Sequence, residues 1–207
     1  MQTTVGQLRS IIRERIRSKL SKFSWNEFVA AQEGLKIQGA AIAANNYASR
    51  ALQLLGKGSS RNTYVLTSKT VLKIAKFEGT VSGADGVSQN KNEREVYEAH
   101  KDLPLTRVLK ADDNDVWLVS ELVNPINNDE EFKKLTGFSE LELDDMCEYD
   151  FGKRTVFKPK KKQLAKSPFL QLLKRIDASG IDVGDLISHE QWGKNADGEM
   201  KLLDSGL

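Results

Sequence analysis

Lys73 is the first residue whose setting points to chemistry. It stands in Val71-Leu72-Lys73-Ile74-Ala75, a short apolar run with the composition of a strand. Alternation along such a strand puts Val71, Lys73 and Ala75 on one side and Leu72, Ile74 and Lys76 on the other. An ammonium on a face of small residues can hold a phosphate as a point charge. Ahead of it lies a glycine turn, Gly56-Lys57-Gly58-Ser59-Ser60. Glycines let backbone N–H groups approach an anion, and the hydroxyls of Ser59 and Ser60 add donors. The G-x-x-x-x-G-K-[ST] spacing of a P-loop is absent, and strands rather than a helix follow the turn. Glu93 comes 20 positions after Lys73 in a helical stretch, where a carboxylate can orient the ammonium. Each feature also has a plainer explanation. A strand lysine normally faces solvent, and most Gly-Ser turns are only turns.

The elements that must position these groups follow from periodicity. Apolar residues from Val5 to Phe23 recur at helical steps, with basic residues on the other faces. Further helices are expected from residue 25 or 26 to about 34 and over the Ala-rich stretch 38–55. Residues 62–67 and 70–77 have strand composition around a turn at Ser68-Lys69. A Gly- and Ser-rich loop is expected over 78–89 and a helix over 92–100, with Val96 and Ala99 on its apolar face. Two strands, 106–111 and 115–123, flank a turn at Asp112-Asp113-Asn114. Ser167-Pro168 marks a helix start and Gly180 its end. Residues 200–207 suggest a short strand leading into Asp204-Ser205-Gly206.

Composition removes several classes of function. The chain has 207 residues and a net charge of +2, too balanced for a dedicated histone-like DNA binder. Apolar residues make up 39% and charged residues 29%, as in a globular chain able to build a core. Cys147 is the single cysteine, so no internal disulfide or cysteine zinc site exists. His100 and His189 are too few for a histidine metal cluster. No apolar run approaches the ~20 residues of a membrane span, and no secretory signal is visible, so a reducing cytoplasm is expected. Nine acids in 129–150 precede seven bases in 153–166. Such blocks usually form solvated faces, although the basic one can meet phosphates.

The order of these motifs resembles the protein-kinase-like superfamily over residues 55–207. "GKGSSRNTYVL" is similar to its nucleotide loop and "TVLKIA" to the strand carrying the phosphate-binding lysine. "NEREVYEAH" is similar to the helix whose glutamate pairs with that lysine, and "VWLVSELV" to the strand entering the hinge. "GDLISHEQWGKNADGEMKLLDSGL" is similar to the catalytic loop and metal-binding turn. The "GSSR" loop and the Trp192-Gly193 pair most resemble small, divergent kinase-like proteins of bacteriophages, which would place the chain in a host cytoplasm.

The resemblance implies an α+β fold. Its parts would be an N-terminal helical arm (1–54), a small lobe of antiparallel sheet plus one helix (55–123), and a reduced helical second lobe (124–207). It implies that Gly56, Gly58, Ser59 and Ser60 cover ATP phosphates held by Lys73 and oriented by Glu93, while the backbone at Glu121 and Val123 holds adenine. Asp185 would be the catalytic aspartate, and Asp204 and Gln191 would bind magnesium. Two departures stand out. Arg61 occupies the third glycine position, and Glu190 stands where the metal-binding asparagine belongs, with Gln191 taken as its replacement. With Leu207 three residues after Asp204, the family's activation segment and peptide-docking helices have no counterpart in this sequence.

The reading favoured is therefore a minimal kinase-like ATP- and magnesium-binding protein that transfers phosphate to a protein hydroxyl. The alternatives are a pseudokinase that binds a protein partner without turnover, and a nucleic-acid-associated protein using the basic segments. A homodimer or larger complex would cover apolar surface left by a reduced lobe. Trp192, a large ring beside a glycine, is expected to be buried. Nucleic acid is not the expected partner, because the acidic block adjoins the basic one. Fluorescence anisotropy with labelled DNA or RNA at physiological salt should show no submicromolar binding. Binding that tight, falling steeply with added salt, would instead establish the basic segments as a nucleic-acid surface.

Overall fold

The computed structural model describes residues 22–76, 86–150, 153–181 and 185–203. The helix expected over residues 5–23 lies almost wholly outside them. The chain divides into two compact units, residues 1–94 with 108–122, and residues 95–107 with 123–207.

The first unit is built on a sheet with two chemically different faces. Its strands are β1 (Gln53–Lys57), β2 (Arg61–Val65), β3 (Thr70–Ala75), β4 (Val108–Ala111) and β5 (Trp117–Glu121). They lie in the order β1-β2-β3-β5-β4, every neighbour antiparallel. Ahead of the sheet come α1 (Trp25–Ala30), capped by the Ser24 hydroxyl, and α2 (Ile37–Ala51). Helix α2 buries Ala40, Ala41, Ala44, Ala48 and Ala51, a stripe at helical spacing that lets its backbone come close. These alanines share a core with Phe28, Tyr64, Leu72, Ile74, Trp117 and Val119. The opposite face of β3 carries Lys73 and Ala75. Toward it lies the start of α3 (Gly86–Ala99), whose buried residues are Gly86, Asn90 and Glu93.

Three sequence expectations shift here. Residues 53–55 extend no helix. Gln53 and Leu54 pair with Val65 and Tyr64 of β2, because the last buried turn of α2 ends at Ala51 and Leu52. Gly56 therefore sits in a strand opposite Thr63, and the turn itself is Gly58-Ser59-Ser60. Helix α3 starts six residues earlier than expected. A Cβ at Gly86 would lie 2.2 Å from the Ser60 carbonyl oxygen and 2.7 Å from the Ala75 Cα, so only glycine allows this approach. Ala99 is exposed, and polar Asn90 and Glu93 form the buried face of α3.

The second unit packs around Trp192. Its elements are β6 (Asn124–Pro125), α4 (Asp129–Thr136), α5 (Glu140–Asp144), the hairpin β7 (Cys147–Asp150) and β8 (Lys153–Phe157), α6 (Lys161–Leu164), α7 (Pro168–Ala178), two 3-10 turns (Asp185–Ile187 and His189–Gln191), β9 (Trp192–Lys194) and β10 (Met200–Leu202). The Trp192 ring is fully buried, edge-on to Phe169, which meets Phe132 the same way. The Trp192 Nε1–H donates to the Leu186 carbonyl at 2.7 Å. Ser167 caps α7 and Pro168 opens it, while Gly180 follows its end with φ of 85°. Five residues of the acidic block occupy first turns, Asp129, Glu130 and Glu131 in α4 and Glu140 and Glu142 in α5, where the helix dipole favours negative charge. Ser139 and Glu142 close a capping box. Among the described residues no helix is long and apolar enough to cross a membrane.

The Gly86 contact gives a direct test. Gly86→Ala would ordinarily raise helix propensity by about 1 kcal/mol. Here the added methyl meets backbone, and overpacking of this kind costs roughly 1–3 kcal/mol. Urea unfolding should therefore show G86A to be less stable than the unaltered chain.

Candidate functional site

The candidate site is a buried carboxylate shared by two cations in the first unit. Glu93 is 0% exposed. Its Oε1 accepts from the Lys73 ammonium at 2.6 Å, and its Oε2 accepts from Arg61 Nη1 at 2.6 Å. The two cationic side chains are themselves 12% and 13% exposed. Strand register explains the meeting. Lys73 is opposite Thr63 and Ala75 is opposite Arg61, so Arg61 and Lys73 project from the same face of adjacent strands. Burial alone would push the Glu93 carboxyl up. The charges of Lys73 and Arg61, with their hydrogen bonds, outweigh that and hold it below the ordinary carboxylate range.

The rest of α3 is tied down to keep Glu93 in place. The Asn90 amide donates to the carbonyls of Asp115 and Val116 at 2.9 and 3.2 Å. Arg94 makes a forked pair with Asp115, Nε to Oδ1 at 2.8 Å and Nη2 to Oδ2 at 3.0 Å. Asp115 takes a left-handed backbone, φ 54°, at the end of the expected Asp112-Asp113-Asn114 turn, whose Asp112 carboxylate accepts from the backbone of Asn114 and Val116. Ser60 donates its hydroxyl to Gln89 Oε1 at 2.6 Å, linking the glycine turn to the same helix. Chemically, the cluster presents a charged ammonium, fixed in direction, on a face of small side chains. That arrangement suits a phosphate or another anion.

The other residues singled out from sequence are placed as follows. The Gly58 N–H closes its turn on the Arg61 carbonyl at 2.9 Å, and the Gly58 carbonyl accepts from Lys76 Nζ at 2.7 Å. Gly56 and Ser59 are exposed, whereas Ser60 is buried. Glu121 is buried at the end of β5, opposite Thr70. Val123, Asp185 and Gln191 belong to the second unit. Val123 packs against Gly193, where a Cβ would come within 2.5 Å of Val123 Cγ1. Asp185 opens a 3-10 turn, and the Gln191 carbonyl accepts from the Leu203 N–H at 2.8 Å. Asp204 lies outside the described residues. Among the described residues, no group of three His, Cys, Asp or Glu side chains is gathered to hold a metal.

Two further contacts carry no local signal in the sequence. Arg61 registered only as a departure from a glycine pattern, although its two-residue offset from Thr63 put it on the Lys73 face once the hairpin register was known. In the second unit, Glu140 Oε1 accepts from the His189 N–H, the His189 ring Nδ1 and the Ser188 hydroxyl at 2.5, 2.5 and 3.1 Å. Burial would raise the Glu140 carboxyl, but these bonds hold it low. The contact anchors the turn between Asp185 and Gln191. Forty-eight residues separate Glu140 from Ser188, and no local pattern signals the pairing.

No protein-family model and no curated protein matches the chain. Among solved structures, a SAICAR synthase shares 13% identity, covering 74% of this chain and 72% of that one, with a TM-score of 0.41. A SAICAR synthase from Saccharomyces cerevisiae complexed with SAICAR shares 12% identity over the same coverage, with a TM-score of 0.40. A likeness of this size assigns no function.

Glu93 sets an expectation for acid stability. Its carboxyl titrates lower in the folded chain than the ~4.3 of an unfolded glutamate. The stability it contributes is complete above that unfolded value and drains away as pH falls through the folded one. Glu93→Gln should lose this acid limb. At neutral pH it should cost about 3–5 kcal/mol, because two cations then share a buried site without an anion. Chemical unfolding of both proteins between pH 3 and 7 measures both effects.

Proposed function

We propose that the chain is a minimal kinase-like ATP-binding protein in which Lys73 holds the nucleotide phosphates. The observation that supports this is the 2.6 Å contact between Lys73 and Glu93. Sequence order had singled out these two residues as the phosphate lysine and its orienting carboxylate, and they meet on one face of an antiparallel sheet beside one helix. Phosphate transfer depends on positioning and charge more than on covalent chemistry, so a lysine immobilised by a buried carboxylate suits it.

The remaining roles rest on motif order. The turn Gly56, Gly58, Ser59 and Ser60 would cover the phosphates, and the backbone at Glu121 and Val123 would hold adenine. A carboxylate at Asp204 and an amide oxygen at Gln191 are donors suited to magnesium, which would neutralise phosphate charge when bound. Asp185 would position a protein hydroxyl and accept its proton as the γ-phosphoryl group leaves ADP.

Thermal unfolding with ATP tests the reading. ATP should raise Tm, since a ligand that binds only the folded state adds RT ln(1 + [L]/Kd), about 2.7 kcal/mol at a hundredfold excess over Kd. Lys73→Met should remove most of that rise while leaving Glu93 paired with Arg61. Asp185→Asn should keep the rise and abolish phosphate transfer from labelled ATP. A rise in Tm without any transfer by the unaltered chain would identify a pseudokinase. No rise at millimolar ATP, with or without magnesium, would overturn the nucleotide reading.

A further inference from the structure

We propose that Arg61 is a positioning residue for the Lys73 ammonium: it occupies one oxygen of Glu93 and so presents the other to Lys73. The inference rests on the phosphate-binding reading above and adds to it a dependence on a side chain outside the lysine–glutamate pair. The two contacts are equal in length, 2.6 Å, and fall on different oxygens of the same carboxylate. A carboxylate serving Lys73 alone could offer either oxygen, or both, as it turned about its last bond. With Oε2 held by Arg61, that rotation is stopped and Oε1 has one direction.

Arg61 is itself held. Its Nη1 also lies 3.4 Å from the Asn90 Oδ1, and the amide nitrogen of Asn90 is bound to the Asp115 and Val116 carbonyls. The orientation of Lys73 is therefore referred, through Glu93, Arg61 and Asn90, to the β4–β5 turn. Nη1 makes the contact with Glu93, so an ammonium of similar reach can partly replace it.

Calorimetric titration of ATP and adenosine into the full chain and its variants tests the role. Arg61→Gln should weaken ATP binding at least fivefold and leave adenosine binding unchanged, because only the phosphates meet Lys73. Arg61→Lys, which keeps a cation near Oε2 and remains the usable variant if R61Q does not fold, should lose two- to threefold. Neither change should weaken ATP further in a Lys73→Met background, since a positioning residue acts only through the group it positions. ATP affinity unchanged in both variants would overturn the proposal while leaving the nucleotide reading intact. Losses that add to that of K73M would overturn it in favour of direct phosphate contact. Absence of ATP binding by the unaltered chain would instead end the nucleotide reading, and this role with it.

Discussion

A buried carboxylate needs donors or cations to offset its lost hydration, and the first unit meets that demand at Glu93 with two cations. Burying one unpaired charge costs several kcal/mol even after relaxation. Lys73 and Arg61 offset this from two adjacent strands, so α3 must stand close to the sheet and in one rotation about its axis. The other contacts of the helix follow from that closeness. Gly86 has no room for a side chain, Asn90 ties to carbonyls of the β4–β5 turn, and Arg94 forks onto Asp115. Ser60 brings the glycine turn into the same network.

The sheet divides its labour between faces. Leu72 and Ile74 point into a core with the alanines of α2, where close packing and burial of apolar area stabilise the fold. Lys73, one residue out of phase, points to the polar face, where direction matters more than area. A period of two puts apolar and charged side chains on alternate residues of one strand. Aliphatic packing behind β3 fixes the strand whose lysine meets Glu93 in front.

The second unit secures its turns differently. Trp192 fills the core and its ring N–H donates to the Leu186 carbonyl, a buried hydrogen bond that ties together the two ends of the segment from Leu186 to Trp192. Glu140, in the first turn of α5, takes three donors from Ser188 and His189. Acids that look like a solvated block in the sequence thus act as helix caps and loop anchors. Only their spacing relative to Asn128 and Ser139, the two capping residues, hints at that use.

Local rules settled much by themselves. The hairpin around Ser68-Lys69, the Asp112-Asp113-Asn114 turn, the Ser167-Pro168 helix start and the Gly180 stop all depend on backbone preferences of a few residues, and these are written in the residues themselves. The Lys73–Glu93 pairing was legible for a different reason: order and separation of the motifs resembled a known arrangement. The tertiary structure decided what depends on contacts between distant segments. The start of α3 at Gly86 depends on the backbone of Ser60 and Ala75, so a Gly- and Ser-rich stretch turned out to be helix. The polar buried face of α3 defeats an amphipathic reading, because Asn90 and Glu93 are buried by partners 25 and 20 residues away. Arg61 shows the limit most clearly. Its sequence context is a turn residue before a strand. Only hairpin register and the position of a helix 32 residues on make it the second cation on a buried carboxylate.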